Sequence, residues 1–116
     1  MPLAMVKVSK ELDSTVRSDL HKACNDHFVT VLNKPEKYIM VIIEDKKDIF
    51  FAGSTDPAAY VEIKSIGTFT PDVTTKLSQK FCSTLQEQGI PPERVYIEFK
   101  DAQRHMWGYN SATFEK

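Results

Sequence analysis

The sequence feature that most constrains the fold is an internal repeat with a shift of about 57 residues. Pro35-Glu36-Lys37 resembles Pro92-Glu93-Arg94, and the same shift carries Asp13-Ser14 onto Thr70-Pro71. Similarity at one fixed shift indicates a duplicated structural unit. The two copies must therefore fold in the same way and pack against each other.

The first copy has the pattern of a strand, a helix and a second strand. Apolar residues alternate along Leu3–Val8, which predicts a strand with one buried face. Asp13 or Ser14 can cap a helix, and apolar residues at three- and four-residue steps continue to about Leu32. The nearly all-apolar segment Tyr38–Ile43 predicts a strand that is covered on both faces.

The second copy repeats this order. Ala59–Ile66 alternates like a half-buried strand, and Thr70 is placed to cap a helix that Gly89 would end. Residues at four-residue steps form the apolar stripe of this helix: Val73, Leu77, Phe81 and Leu85. Val95–Lys100 alternates again and predicts the last main strand.

Two such units predict an α/β (α+β) fold, with duplicated β-α-β units forming a four-stranded mixed sheet and two helices on one face. Parallel strands joined by a helix take a right-handed crossover. The other sheet face then lacks cover, and its apolar area indicates burial against another copy of the chain. Six residues are predicted on that face: Met5, Lys7, Met40, Ile42, Tyr96 and Glu98.

Composition narrows the class of function. The chain has 116 residues and a net charge of -1, which fits one domain spanning 1–116 and argues against nucleic-acid or anionic-membrane partners. Cys24 and Cys82 are far apart and form no metal-binding motif with the histidines, so we expect no metal site. The sequence has no apolar run of membrane-spanning length and no signal-peptide pattern, so the expected location is the cytoplasm.

The first two residues suggest chemistry. Initiator methionine is normally trimmed before a small residue, and loss of Met1 would leave Pro2 with a free secondary amine. A strand that starts there would fix the amine, and apolar neighbours would lower its pKa toward neutrality. A base whose pKa lies near the working pH suits proton transfer. The alternative interpretation is that Pro2 is simply a common second residue.

Several short segments together carry a family resemblance. The segments, in order, are Met1-Pro2, Lys34-Pro35 with Tyr38, Phe51-Ala52-Gly53-Ser54, Ser65-Ile66-Gly67, Pro92-Glu93-Arg94-Val95-Tyr96-Ile97, Gly108-Tyr109-Asn110 and Thr113-Phe114. With this order and spacing the chain resembles the macrophage migration inhibitory factor (MIF) family of the tautomerase superfamily. The resemblance runs from Met1 to Phe114.

The resemblance implies a homotrimer with active sites between subunits. It also implies a keto–enol tautomerase of the phenylpyruvate tautomerase or dopachrome isomerase type, which acts on small aromatic 2-oxo acids without a cofactor. Pro2 would be the catalytic base, and Lys34 and the backbone of Ile66 would hold the substrate carboxylate. Tyr96 would come from the neighbouring subunit. The aromatic wall would comprise Trp107, Tyr109 and Phe114.

Glu98 departs from the family pattern, which has asparagine at this position. An ionised glutamate only accepts hydrogen bonds, whereas asparagine also donates them. Its charge would oppose an anionic substrate unless it pairs with Lys34 or is protonated. We therefore expect weaker catalysis or a different substrate. The Cys-x-x-Cys of vertebrate members is also missing, so no thiol oxidoreductase activity is expected.

Two alternatives share this order of strands and helices. One is a cytokine-like signalling ligand, secreted without a signal peptide, that binds a cell-surface receptor and has a weak or vestigial tautomerase site. The other is a ferredoxin-like regulatory domain, which would need no free N-terminal proline and no trimer.

Overall fold

The computed structural model describes residues 1–67 and 69–115. Four strands form a mixed sheet in the order β2-β1-β3-β4, and a separate two-stranded hairpin lies near the C-terminus. β1 runs parallel to β2, β3 runs parallel to β4, and the central pair β1–β3 is antiparallel. The elements are β1 (Leu3–Val8), α1 (Ser14–Leu32), β2 (Met40–Glu44), β3 (Ala59–Ile66), α2 (Pro71–Glu87), β4 (Val95–Ala102), β5 (Gly108–Tyr109) and β6 (Ala112–Thr113). The predicted fold class is confirmed.

The duplication is visible in how equivalent residues face each other. Met5 of β1 lies directly opposite Glu62 of β3, and His27 of α1 lies 2.7 Å from Thr84 of α2. Both pairs are 57 residues apart, the shift of the sequence repeat. When two equivalent units are related by a two-fold axis, equivalent residues that lie beside the axis face each other. The two β-α-β units therefore pack with approximate two-fold symmetry.

The core lies between the sheet and the helix pair. The alternating residues of β1 and β3 that face the helices are buried: Ala4, Val6, Val8, Ala59, Val61 and Ile63. The helices contribute Leu20, Cys24 and Phe28 from α1, with Leu77, Phe81 and Leu85 from α2. Phe28 and Phe81 meet at the centre with their rings 5.7 Å apart. Alternation in the strands and four-residue steps in the helices thus predicted the core correctly.

The helix starts follow the predicted caps. The side chain of Asp13 accepts a hydrogen bond from the Val16 amide at 2.9 Å, so Asp13 rather than Ser14 caps α1. Thr70 caps α2 by accepting from the Val73 amide at 3.3 Å. At the other end of α2 the predicted cap is one residue late. The helix is capped by the preceding residue, and Gly89 follows with φ of +83°.

The prediction for β2 is wrong in its start and in its burial. Pro35 begins a 3-10 turn, and its carbonyl accepts from the Tyr38 amide at 3.1 Å, which keeps Tyr38 out of the strand. β2 begins at Met40 and forms an edge of the sheet, and the side of the sheet away from the helices is open. Met40 is consequently 60% exposed. Phe51 forms one isolated bridge to Ser54, so its segment is a loop.

In the part of the chain that the structure describes, no helix has both the length and the apolar character that crossing a membrane requires.

Candidate active site

A cavity of about 410 Å³ opens at the start of β1. The first residues of the chain form one side, the turn that precedes β2 forms a second side, and the C-terminal hairpin forms a third. Its lining includes Pro2, Tyr38, Met40, Trp107, Tyr109 and Phe114. The cavity therefore brings the chain start together with the turn before β2 and with the C-terminal hairpin.

Sheet pairing fixes the position of the chain start. Pro2 is fully buried, and its carbonyl accepts a hydrogen bond from the Met40 amide at 3.1 Å. From the next residue onward, β1 pairs with β2 on one side and β3 on the other. A nitrogen at residue 2 is thus held on the central strand and does not swing freely.

The aromatic wall is built around the C-terminal hairpin. The rings of Tyr109 and Phe114 stack with 5.6 Å between centroids and an interplanar angle of 10°. Tyr38 meets both rings edge-on, at 5.6 Å and 6.2 Å. Asn110 and Ser111 take left-handed backbone conformations that turn the chain back tightly between β5 and β6. Trp107 lies beside this wall, next to the hairpin.

Tyr38 and Lys37 were not among the site residues predicted from the sequence. The 3-10 turn after Pro35 directs Tyr38 into the cavity, and the Lys37 ammonium lies 5.0 Å from the centre of its ring. The sequence signal was the proline, which favours a turn over an early strand. The apolar run that begins at Tyr38 favoured a strand, so the turn was not predicted.

Lys34 and Ile66 lie in a neighbouring depression of about 240 Å³, which also contains Ser65 and Gly67. Lys34 follows the helix-ending residue Asn33, whose left-handed φ of 53° turns the chain out of α1. Ile66 is the last residue of β3. The two residues that the family resemblance implies for carboxylate binding are therefore neighbours, close to the aromatic cavity but outside its lining.

The α-amino group at the chain start is easier to deprotonate than an exposed one. Burial is the largest cause of the lowered pKa of the Met1 amino group, and the positive charges of Lys34 and Arg104 lower it further. The sequence predicted the effect of burial for an amine at this place. The contribution of Arg104 was not anticipated.

Tyr96 and Glu98 lie on the outer face of β4, away from the cavity of their own chain. Tyr96 is 66% exposed, and its ring packs 4.9 Å from that of Phe51. Glu98 accepts a hydrogen bond from the Tyr60 hydroxyl at 2.9 Å and lies 3.7 Å from the Lys100 ammonium. It does not make the alternative pairing with Lys34 within the described residues.

The Tyr60 hydroxyl lies between two carboxylates. It is 2.9 Å from Glu98 and 3.2 Å from Glu62. Burial and these two acceptors raise the pKa of Tyr60 to about 12, because the carboxylates favour the protonated hydroxyl. Residues 1–67 and 69–115 contain no cluster of histidine, cysteine or carboxylate side chains arranged to hold a metal ion.

The duplicated β-α-β sheet, with a buried chain start beside an aromatic cavity, has the architecture of the tautomerase fold. The chain belongs to the macrophage migration inhibitory factor family, whose family model matches residues 1–115. The family identified from the short sequence segments is therefore correct.

Similar proteins are found in several organisms. A macrophage migration inhibitory factor homolog of Brugia malayi is 32% identical, and the match covers 98% of this chain and 99% of the relative. The macrophage migration inhibitory factor of Xenopus tropicalis is 34% identical, with coverage of 89% and 87%. The crystal structure of the homologue from Prochlorococcus marinus is 34% identical and superimposes with a TM-score of 0.91, covering 97% of this chain and 99% of that one.

Proposed function

We propose that this protein is a keto–enol tautomerase that uses the amine of Pro2 as its base. Its substrates would be small aromatic 2-oxo acids of the phenylpyruvate or dopachrome type. The observation that carries the proposal is the chain start held beside a 410 Å³ aromatic cavity, where the pKa of an α-amino group is lowered. Membership of the family supports an isomerase in general terms.

The proposed reaction moves one proton. The carbonyl of a 2-oxo acid acidifies the adjacent carbon, so the neutral Pro2 nitrogen removes a proton there while the C–H electron pair forms the enol double bond. The carbonyl π pair moves to oxygen, and the protonated amine returns the proton to that oxygen. Lys34 would hold the carboxylate as a point charge, and the wall of Tyr109 and Phe114 would contact the ring and exclude water.

We further propose that three copies assemble, as MIF-fold homologues are typically oligomers. The outer sheet face supports this, because the half-buried Met5 and Ile42 lie side by side on it, next to the exposed Met40. In the trimer, Tyr96 and Glu98 would reach the site of the neighbouring subunit. Light scattering should give three times the 13.2 kDa chain mass, and a monomer at micromolar concentration would refute the assembly.

The test of the base compares three proteins: one that begins at Pro2, one that retains Met1, and a Pro2→Gly variant. With Met1 attached, the Pro2 nitrogen is a tertiary amide whose lone pair is delocalised, so it cannot accept the proton. We expect full activity from the protein that begins at Pro2, strongly reduced activity from Pro2→Gly and no activity from the protein that retains Met1. Intact mass establishes each terminus, and enol-borate absorbance with phenylpyruvate measures turnover.

Activity should rise with pH as the amine loses its proton. The midpoint should lie below about 7.7–8, the range of an exposed α-amino group, because we expect the Pro2 amine to experience the burial and the Lys34 and Arg104 charges that lower the pKa of the Met1 amino group. Equal activity with and without Met1 would exclude Pro2 as the base. Absence of turnover in all three proteins on every 2-oxo acid tried would exclude the enzyme.

Absence of turnover in all three proteins would favour the competing proposal, a cytokine-like ligand with a vestigial site. The name shared by the curated relatives, which describes an effect on macrophages, supports that alternative. The Pro2→Gly variant separates the two proposals, since receptor binding should survive this change whereas turnover should not.

A further inference from the structure

The turn at Ile66–Gly67 lies between two positively charged side chains. On one side is the depression of about 240 Å³ that contains Lys34. On the other side is a depression of about 480 Å³, which the same two turn residues share with Arg104. Lys34 comes from the end of α1, whereas Arg104 comes from the 3-10 turn after β4. Two cations from distant parts of the sequence thus lie beside the same turn, in different depressions.

The side chain of Arg104 is held in place by the aromatic wall. Its Nε donates a hydrogen bond to the Phe114 carbonyl at 2.8 Å, and the Phe114 amide donates to the Arg104 carbonyl at 3.2 Å. Phe114 itself lines the aromatic cavity. The guanidinium is therefore tied to the cavity wall through one donor.

The remaining donors of Arg104 are available to a ligand. Of the five N–H groups of a guanidinium, one is used by Phe114, and the other four make no hydrogen bond to any described residue. Asp101 shares the same depression, yet it forms no ion pair with Arg104 within 4.0 Å among the described residues. A planar fork of free donors is the arrangement that binds carboxylates in two-point fashion.

The electrostatics at the chain start support a joint role for the two cations. Lys34 and Arg104 are the two charges that lower the pKa of the terminal amino group. Both are thus close enough to the reacting end of the site to act on an anion bound there. The turn at Ile66–Gly67 lies between the depressions that contain Lys34 and Arg104. The two cations are therefore better placed to bind two separate anionic groups than to bind one together.

We propose that Arg104 is a second anion-binding residue of the site, selecting 2-oxo acids with a second carboxylate. The inference rests on the proposed tautomerase function and specifies its substrate class. Lys34 would hold the carboxylate next to the ketone, and Arg104 would hold the other carboxylate beyond the Ile66–Gly67 turn. The family resemblance implied no charged partner on this side of the site.

The test uses protein that begins at Pro2 and two substrates: phenylpyruvate with one carboxylate, and oxaloacetate with two. Arg104→Ala should lower kcat/KM for oxaloacetate about ten- to hundredfold, mainly through KM, because it removes a charged hydrogen bond. Phenylpyruvate should change less than twofold. Arg104→Lys should restore part of the selectivity, since it keeps the charge without the bond to Phe114.

Lys22→Ala is the matched control, because it removes one positive charge from α1 roughly three turns before the helix ends and should leave both substrates unchanged. Arg104→Ala should also raise the pKa of the Pro2 amine seen in the pH profile with either substrate. An equal loss of kcat/KM on both substrates would overturn the proposal, because it would show that Arg104 only holds Phe114 in place. Unchanged selectivity would likewise overturn the proposal.

Failure of the proposed function gives a different result. If the protein turns over neither substrate, calorimetric binding of malonate and acetate still reports on the anion site. Preferential malonate binding that Arg104→Ala abolishes, while Lys22→Ala keeps it, would support the site without the enzyme. No preference for the dicarboxylate would refute the anion site as well.

Discussion

The two β-α-β units share a scaffold, but only the first has a proline at the chain start and the lysine proposed to bind the substrate carboxylate. Their caps, Asp13 and Thr70, occupy equivalent positions, as do the buried Leu20 and Leu77. The residue equivalent to Pro2, however, is Ala59, which lies within the chain. A backbone amide cannot serve as a base, so the second unit cannot reproduce the chemistry proposed for the first.

The residue equivalent to Lys34 shows the same divergence. A shift of 57 residues places Pro91 at this position, where it introduces the 3-10 turn before β4. Lys34 leaves its helix at a left-handed asparagine, whereas α2 ends with its Gln88 carbonyl bound by the Lys10 ammonium at 2.8 Å. The comparison indicates that duplication built the sheet, and that a chain end and one lysine set the first unit apart.

The largest expected effect is on the free energy of unfolding, and it compares the equivalent core positions Phe81 and Cys24. Both are essentially buried, but Phe81 also contacts Phe28 and His27 across the helix interface. Phe81→Ala should cost about 3–5 kcal/mol of unfolding free energy, and Cys24→Ala only roughly 1–2 kcal/mol. Urea unfolding at one fixed protein concentration measures both. Equal losses would mean that the two helices contribute equally to the centre of the core.

The next effect contrasts Lys34 with Pro91. If Lys34 holds the substrate carboxylate, Lys34→Ala should raise KM for phenylpyruvate roughly tenfold, with a smaller change in kcat. Pro91→Ala alters the equivalent position of the other unit and should leave both constants unchanged. Steady-state kinetics on protein that begins at Pro2 measures KM and kcat for both variants. Unchanged kinetics in Lys34→Ala would remove this residue from the site.

These contrasts also show which features the sequence could predict. β1 and β3 begin and end where predicted, because each has one buried face and alternation records that burial directly. β2 carries no such record, because four successive apolar residues, Met40 to Ile43, place apolar side chains on both of its faces, so its start was misplaced. Periodicity predicts where a residue is buried better than which partner it meets.

The same distinction applies to the residues of the candidate site. Pro2 is recognisable because a terminal proline has a distinctive amine, and the aromatic residues are conspicuous near the C-terminus. Arg104 was not among the predicted site residues, because its position beside the aromatic wall depends on a bond to the Phe114 carbonyl, ten residues further along the chain. Tyr38 was missed because a turn, and not its own residue type, directs it into the cavity.

A smaller effect is expected at the equivalent caps. The Asp13 carboxylate accepts at 2.9 Å and carries a charge that suits a helix N-terminus, whereas the neutral Thr70 hydroxyl accepts at 3.3 Å. Replacement of either by alanine should cost about 1 kcal/mol, with the larger loss for Asp13→Ala. Thermal unfolding of the two variants gives the order. A larger loss for Thr70→Ala would show that the tertiary setting outweighs cap geometry.

The smallest effect concerns His27 and Thr84, the equivalent residues that meet between the helices. Thr84 donates its single hydroxyl proton to the Lys80 carbonyl at 3.0 Å, so its oxygen accepts from Nε2–H of His27. The pKa of His27 is lowered, first by burial and then by the Lys80 charge, while Asp26 opposes the shift. The folded protein therefore binds a proton here less readily than the unfolded chain.

This difference sets the sign of the pH dependence. As pH falls below about 6.5, the unfolded chain takes up a proton at His27 while the folded protein resists it, so stability decreases. The decrease stops once pH passes below the folded pKa. His27→Gln keeps a donor near Thr84 but does not titrate, so it should flatten this part of the stability profile relative to the natural protein. Parallel profiles between pH 5 and 7 would show that the contact between the two units does not respond to pH.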